Sequence, residues 1–274
     1  LQGRVDWYYD TSTSGLTFTY AGQSLVPGGT VLLIGTDHAA PLPGSRNVLR
    51  EIDLAGDVVR ETNLAAVNAE LASRGLDAIT SFTLDVERLP NGQTATIGLV
   101  EHTVNINGTP TNYIGAMIVV LDRNLQVAWA WNAFDHLDVN RGPVLGEIVP
   151  PGSPGPSAAL PRPPAVDWLH INAVSWSPAD QNLVLSIRHQ DWVIKIDYRN
   201  GAGDGHVVWR LGQGGDFTVN STDPNPWFSH QHNAHYLDDH TLILFDNGIT
   251  RRASDPNADS RGQVWTLDER TMTA

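Results

Sequence analysis

A chain of 274 residues that is 41% hydrophobic, with 25 Gly and 17 Pro, can bury a large core and turn often. Its 30 acidic residues against 17 basic ones give a net charge of -13, which excludes nucleic acid and anionic membrane as main partners, because phosphate binding needs a basic footprint. It has no cysteine, which excludes disulfides, thiol catalysis and cysteinyl metal sites, and no window approaches the ~18 consecutive apolar residues of a membrane span.

In chain order, Val5-Asp6-Trp7 reads as the tail of one repeat unit. Ser24 to Ile34, with Pro27-Gly28-Gly29 between two apolar runs, predicts a hairpin, and Ile52-Asp53 ends a further strand before Asp57-Val58-Val59. Asn63 to Leu76 is Ala/Leu-rich at helical spacing with Gly75 as its stop, so it predicts a helix. Ser81 to Val100 turns at Pro90-Asn91-Gly92; Leu121-Asp122 and the strand from Gln126 to Trp129 follow. The segment 142–164 is rich in Pro, Gly and Ser and predicts a long exposed loop between units. Ile171 to Ile187 turns at Pro178-Ala179-Asp180, then come Ile196-Asp197 and His206 to Trp209. Ala234 to Phe245 turns at Asp238-Asp239, and Leu267-Asp268 ends the last strand.

The four pairs of apolar residue and aspartate lie 69, 75 and 71 residues apart. Each unit is four short antiparallel strands, which is a propeller blade. The expectation is therefore an all-β chain, one β-propeller domain over 1–274, with about four blades visible. That makes it an incomplete ring or a fragment of a larger one. The chain starts at Leu1 without a signal-like segment, so it reads as processed or partial. Trp7, Trp129, Trp131, Trp209 and Trp265 are expected in the core of the repeats.

Polar residues in strand-like sequence mark the candidate site. His170-Ile171-Asn172-Ala173-Val174 alternates, which puts His170, Asn172 and Val174 on one side. Arg188 falls in the next strand of the same hairpin. Together His, Asn and Arg make a donor-rich, cationic pocket suited to phosphate, sulfate or carboxylate. A satisfied polar cluster, with Arg188 paired to Asp191 or Asp167, accounts for the same residues. His230, His232 and His235 admit three readings. They form an exposed loop before a strand, a His-x-His metal pair that lacks a recognisable third ligand, or the source of a nucleophilic imidazole. Asn247 lies in a turn, Asp246-Asn247-Gly248, and Arg251-Arg252 after it either pair with Asp255 or Asp259 or, as the weaker reading, offer an auxiliary anion contact. His38, His102 and His136 read as turn or surface residues. Trp168, Trp192 and Trp227 flank the polar motifs and either wall an aromatic substrate or simply pack.

Between Asp167 and Arg252 several motifs stand in one order: Asp167-Trp168-Leu169-His170-Ile171-Asn172, Leu185-Ser186-Ile187-Arg188-His189, Val193-Ile194-Lys195-Ile196-Asp197, Val208-Trp209-Arg210-Leu211-Gly212, Gln231-His232-Asn233-Ala234 and Leu244-Phe245-Asp246-Asn247-Gly248. On these residues the sequence resembles the arylsulfotransferase family. The resemblance implies a six-bladed propeller with its site at the central channel. It implies transfer of a sulfuryl group from a phenolic sulfate ester to a phenol through a sulfohistidine, with no nucleotide sulfate donor or cofactor and no metal in the chemical step. By resemblance His232 is the nucleophile and His170, Asn172 and Arg188 bind the sulfuryl oxygens; the Asn247 turn is expected to add a further substrate contact. His170 also protonates the leaving phenol. The family's additional His from an earlier blade has His102 and His38 as its candidates. A periplasmic or secreted location follows from the same resemblance, and homo-oligomerisation is left open. Two alternatives stand: hydrolysis of sulfate or phosphate esters at the same site, and a non-catalytic propeller that binds a ligand or protein.

Overall fold

The structure is a computed structural model that describes residues 5, 7–11, 16, 18–26, 29–36, 47–150 and 164–274. His38, the Pro27-Gly28 turn and residues 151–163 of the Pro/Gly-rich segment lie outside the described residues. The described chain is all-β, built from four sheets with antiparallel pairing throughout except at one strand.

The first sheet runs β1 (Phe18–Val26), β2 (Thr30–Thr36), β3 (Asn47–Ile52) and β4 (Val58–Asn63) in that order. The second runs β5 (Ser81–Arg88), β6 (Thr94–Ile106) and β7 (Thr109–Leu121), with β8 (Val127–Asn132) on β7. The third is β11 (Ile171–Trp176), β12 (Leu183–Ile187), β13 (Trp192–Ile196) and β14 (Val207–Leu211). The fourth is β15 (His232–Tyr236), β16 (Thr241–Asp246) and β17 (Arg261–Thr266).

The repeated aspartates have one physical role. Asp53, Asp122, Asp197 and Asp268 follow the third strands β3, β7, β13 and β17. Asp53 Oδ1 accepts from the N–H groups of Ala55 and Asp57, both at 2.9 Å, and Asp122 Oδ1 from Asn124 at 2.7 Å and Gln126 at 3.0 Å. Asp268 Oδ1 takes Arg270 N at 3.0 Å, and Asp197 Oδ2 takes Asp204 N at 3.1 Å. A short carboxylate that satisfies turn N–H groups is the usual reason for Asp at such a corner.

Asn63 caps the expected helix, α1 (Leu64–Ser73), by accepting from Ala66 N at 2.9 Å. Leu64, Val67 and Leu71 on its inner face are buried, and Gly75 takes the left-handed conformation that ends it. Two shorter helices, α2 (Ala133–His136) and α3 (Ile249–Ser254), follow β8 and β16.

Most tryptophans behave as core. Trp131 and Trp209 are fully buried, Trp265 is nearly so, and Trp131 Nε1 donates to Gly205 O at 2.8 Å. Trp7 departs from that expectation. It is 42% exposed and rests its indole N–H on Leu54 O.

The Pro/Gly-rich segment is also more than a loop. Ile148–Val149 form β9, paired with β10 (Ala165–Asp167), and β10 adds to β7 in parallel at Tyr113 and Ile114. Thirteen-residue β7 is long enough to pair with β8 at one end and β10 at the other. This addition brings Glu147 and Asp167 alongside the start of β11.

The first strands of the four sheets pack against one another in chain order, β1 on β5, β5 on β11 and β11 on β15. The start of β15 therefore lies beside the start of β11, which sets His232 near His170 and Asn172. In β5 the pairing slips between Thr83 and Val86, with Leu84 at φ 59°, and this turns Asp85 towards β11. Asp85 accepts from Val174 N and Val86 N, both at 2.9 Å, yet burial still pushes its pKa up to about 6 from 3.8. The folded chain keeps this proton where the unfolded chain has lost it, so stability is lost as pH rises from about 4 to about 6. Relative to wild type, Asp85→Asn should gain about 2 kcal/mol across that window, read from urea unfolding at pH 4 and pH 7. A constant difference at both values would contradict this.

Candidate active site

His170 precedes β11 with a left-handed backbone, φ 49°, and its Nδ1 lies 2.8 Å from Asp167 Oδ2. Pairing with β12 slips between Ile171 and Ala173, so the expected alternation of His170, Asn172 and Val174 on one side is broken by a bulge. Arg188 is not in a strand. It opens a 3-10 turn, Arg188–Gln190, that Asp191 closes in the left-handed region. Arg188 N donates to His170 O at 3.3 Å and His189 N to Leu169 O at 3.0 Å, which stitches the turn onto the His170 segment. The Arg188 guanidinium donates to His189 Nε2 and, among the described residues, has no carboxylate at ion-pair distance. The expected pairing with Asp191 or Asp167 is therefore absent.

The approach to β15 is buried, contrary to the reading of an exposed loop. Ser229, His230 and Gln231 are each at most 3% exposed. Gln231 anchors them. Its Nε2 donates to Trp192 O at 2.8 Å and Ile187 O at 3.2 Å, and its carbonyl accepts from Asn172 Nδ2 at 2.7 Å and Ser186 Oγ at 3.3 Å. Asn172 is thus tied to the backbone that carries His232. Half-buried His232 has Asn247 against it, with Nδ2 3.1 Å from His232 Nδ1. His235 lies outward, its Nδ1 3.0 Å from Asn233 O.

Four imidazoles and one guanidinium share this region. Ring centroids lie 4.7 Å apart for His170 and His189, and 5.7 Å for His189 and His230. Burial, then the nearby charges of Arg188 and His170, hold the His232 pKa below the ordinary imidazole range, so the ring is neutral at neutral pH. Burial pushes His189 down to about 4, and its Nδ1 sits 2.6 Å from Asp167 O. His230 goes the other way. Burial opposes its charge, but Asp191 and Glu147 outweigh that and raise its pKa. The arrangement offers a neutral imidazole beside cationic and N–H donors, which suits attack on an anion.

Other expected residues are held elsewhere. His102 stacks on Phe134 at 4.2 Å and pairs with Asp77 at 2.9 Å. Arg251 binds Asp246, and Arg252 reaches Ala258 O and Ser260 Oγ. Trp168 is fully buried with its N–H on Arg141 O, Trp192 lies 3.6 Å under the Arg141 guanidinium, and Trp227 stacks on Trp265. Glu147, Asp167, His189 and Gln231 are contributors that strand pattern did not single out. Asp167, His189 and Gln231 do stand in the motifs that carry the family resemblance, without a role of their own there, whereas nothing in the sequence signalled Glu147.

Compared with known families, residues 1–274 match the model of the arylsulfotransferase (ASST) family over the whole chain. The chain belongs to the arylsulfotransferase family. The family is named for sulfotransferase activity on aryl substrates. No curated protein matches the chain. Three solved structures are similar to this arylsulfotransferase family member. One is a protein of unknown function from Bacteroides caccae, with TM-score 0.49, 10% identity, and coverage of 93% of this chain and 70% of that one. Another is an alpha-L-arabinofuranosidase from Fusarium graminearum, with TM-score 0.49, 12% identity, and coverage of 92% and 59%. The third is the hydrazine synthase of Kuenenia stuttgartiensis, with TM-score 0.45, 12% identity, and coverage of 90% and 58%. The chain thus spans less than two thirds of the last two, and none of these likenesses fixes its fold.

Proposed function

We propose that this arylsulfotransferase moves a sulfuryl group from a phenolic sulfate ester to a phenol through a sulfohistidine at His232, without a nucleotide sulfate donor. The observation that carries this reading is the neutral His232 imidazole beside Arg188 and His170, with Asn247 on its Nδ1. The neighbouring first strands of the four sheets are taken as the inner wall of a propeller channel, and an exported, periplasmic or secreted protein as its setting.

Sulfuryl transfer resembles phosphoryl transfer, where positioning and charge stabilisation dominate. In the first step a ring nitrogen of His232 gives its electron pair to sulfur while the S–O bond to the aryl oxygen breaks. Protonated His170 passes its proton to the departing phenolate. In the second step an acceptor phenol gives its proton to His170, its oxygen attacks sulfur, the S–N bond breaks and His232 is restored. Arg188 presents its planar fork to the equatorial oxygens. Asn247 governs which nitrogen is free. With its Oδ1 facing the ring, Nδ1 keeps the proton and Nε2 attacks; with Nδ2 facing it, Nδ1 is an acceptor.

Asp167 Oδ2, 2.8 Å from His170 Nδ1, holds that ring in register for proton transfer from its other nitrogen. Asp167→Asn should therefore slow phenyl sulfate, whose leaving group needs the proton, by about 10²-fold, but 4-nitrophenyl sulfate by less than about tenfold. Equal losses on the two donors would remove His170 as the acid. The reading as a whole is tested by adding phenol to enzyme and 4-nitrophenyl sulfate. Faster nitrophenol release with stoichiometric phenyl sulfate supports transfer. Release that ignores phenol and yields free sulfate makes the enzyme a hydrolase.

A further inference from the structure

We propose that Glu147, His189 and His230 form a zinc site that pins the segment around β9 over the candidate active site. Three donors from sequence-distant positions converge here, His189 Nε2, His230 Nε2 and Glu147 Oε1, all within 4.8 Å of one another. Glu147 Oε1 is 2.5 Å from His230 Nε2 and 3.9 Å from His189 Nε2. Two imidazoles and a carboxylate are a recurrent zinc donor set, with a fourth position left for water.

The supporting groups are those a metal ligand needs. A ligating imidazole is oriented by a partner on its other nitrogen, most often a carbonyl or carboxylate. His189 Nδ1 lies 2.6 Å from Asp167 O, and Asp191 Oδ1 holds the His230 backbone N–H at 2.7 Å with His230 Nδ1 3.0 Å away, within ion-pair range but not aligned as a hydrogen bond. Glu147 is fixed as well, because its Oε2 accepts from Leu145 N at 3.1 Å and its carbonyl from Asp167 N at 3.0 Å. Both imidazoles are buried while Glu147 retains some exposure, which leaves the carboxylate side as the approach for an ion.

Glu147 supplies the anionic donor, and Asp167 and Asp191 lie behind the imidazoles, opposite the guanidinium groups of Arg188 and Arg141 and the proton that His170 holds in the transfer step. In the structure Arg188 donates to His189 Nε2 and His230 bridges Glu147 and Asp191. Zinc would take the lone pair that Arg188 now uses and the contact that a proton on His230 now fills. The freed guanidinium would remain beside His232. Zinc enters neither sulfuryl-transfer step, so the test needs no turnover.

The 274-residue protein is stripped with EDTA, given a small excess of Zn²⁺, desalted and assayed for metal. Wild type should retain about one zinc per chain, and Glu147→Gln and His189→Ala under about a tenth of that. His206→Ala, at the exposed Asp197, Asp204 and His206 cluster, should retain zinc like wild type. Co²⁺ added to wild type should give the intense visible bands of a four-coordinate site, which keeps the test independent of variant folding. No retained zinc and no such bands would overturn the proposal and leave the cluster as an ion-pair network. Retention lost in His206→Ala but kept in Glu147→Gln and His189→Ala would also overturn it.

Discussion

His232→Ala should lower phenol-dependent release of nitrophenol from 4-nitrophenyl sulfate by at least about 10³-fold, roughly 4 kcal/mol of barrier. Removal of a covalent nucleophile leaves only what binding and charge stabilisation supply. The fold should survive, because His232 is half-buried and Gln231, not His232, ties the strand down. An unchanged melting temperature with lost activity is the expected pair of readings. A variant that keeps more than about a tenth of wild-type activity would move the nucleophile elsewhere in the histidine cluster.

Arg188 gives the second large effect. Arg188→Ala should cost about 10²- to 10³-fold in kcat/KM, the size seen when one preorganised donor to a developing anion is removed. Arg188→Lys should recover little, because an ammonium keeps the charge but not the two-pronged donor geometry. Among the described residues no carboxylate lies at ion-pair distance from Arg188, and Asp167, which its charge also favours, keeps His170, so the alanine variant loses the contact to His189 and that one charge without stranding a buried anion. A pH profile separates charge from fork. Burial and the Arg188 charge both keep His232 neutral, so in Arg188→Ala the acid limb of the profile should move to higher pH as the imidazole gains its proton more readily. A Lys variant at wild-type activity would show that charge alone matters.

Repeats were legible because turn chemistry is local. Asp53, Asp122, Asp197 and Asp268 each bind N–H groups a few residues on, and Asn63 caps its own helix, so the signal lies within a short window. The centre of the candidate site was legible as a cluster for a related reason, since polar residues at strand starts need partners. His170, Asn172, Arg188, His232 and Asn247 gather where β11 and β15 begin.

What failed was what depends on irregular backbone or distance. A bulge at Asn172 defeats period-two alternation, and a left-handed Asp191 turns Arg188 out of the strand. Two-residue β9 is recognised only by its partner, so Glu147 reads as loop although it meets His230 across 83 residues of sequence. His230 itself reads as exposed because its cover comes from that distant segment.

The central claim is the covalent intermediate. Wild-type protein is mixed with excess 4-nitrophenyl sulfate without acceptor, quenched at short times under mildly alkaline conditions, and weighed intact. A gain of one sulfuryl group, formed with the first nitrophenol, mapped to His232 and discharged as phenyl sulfate when phenol is added, is the predicted result. Turnover with phenol but no adduct at any quench time, in wild type and in Asp167→Asn alike, would contradict the account and favour direct transfer between donor and acceptor.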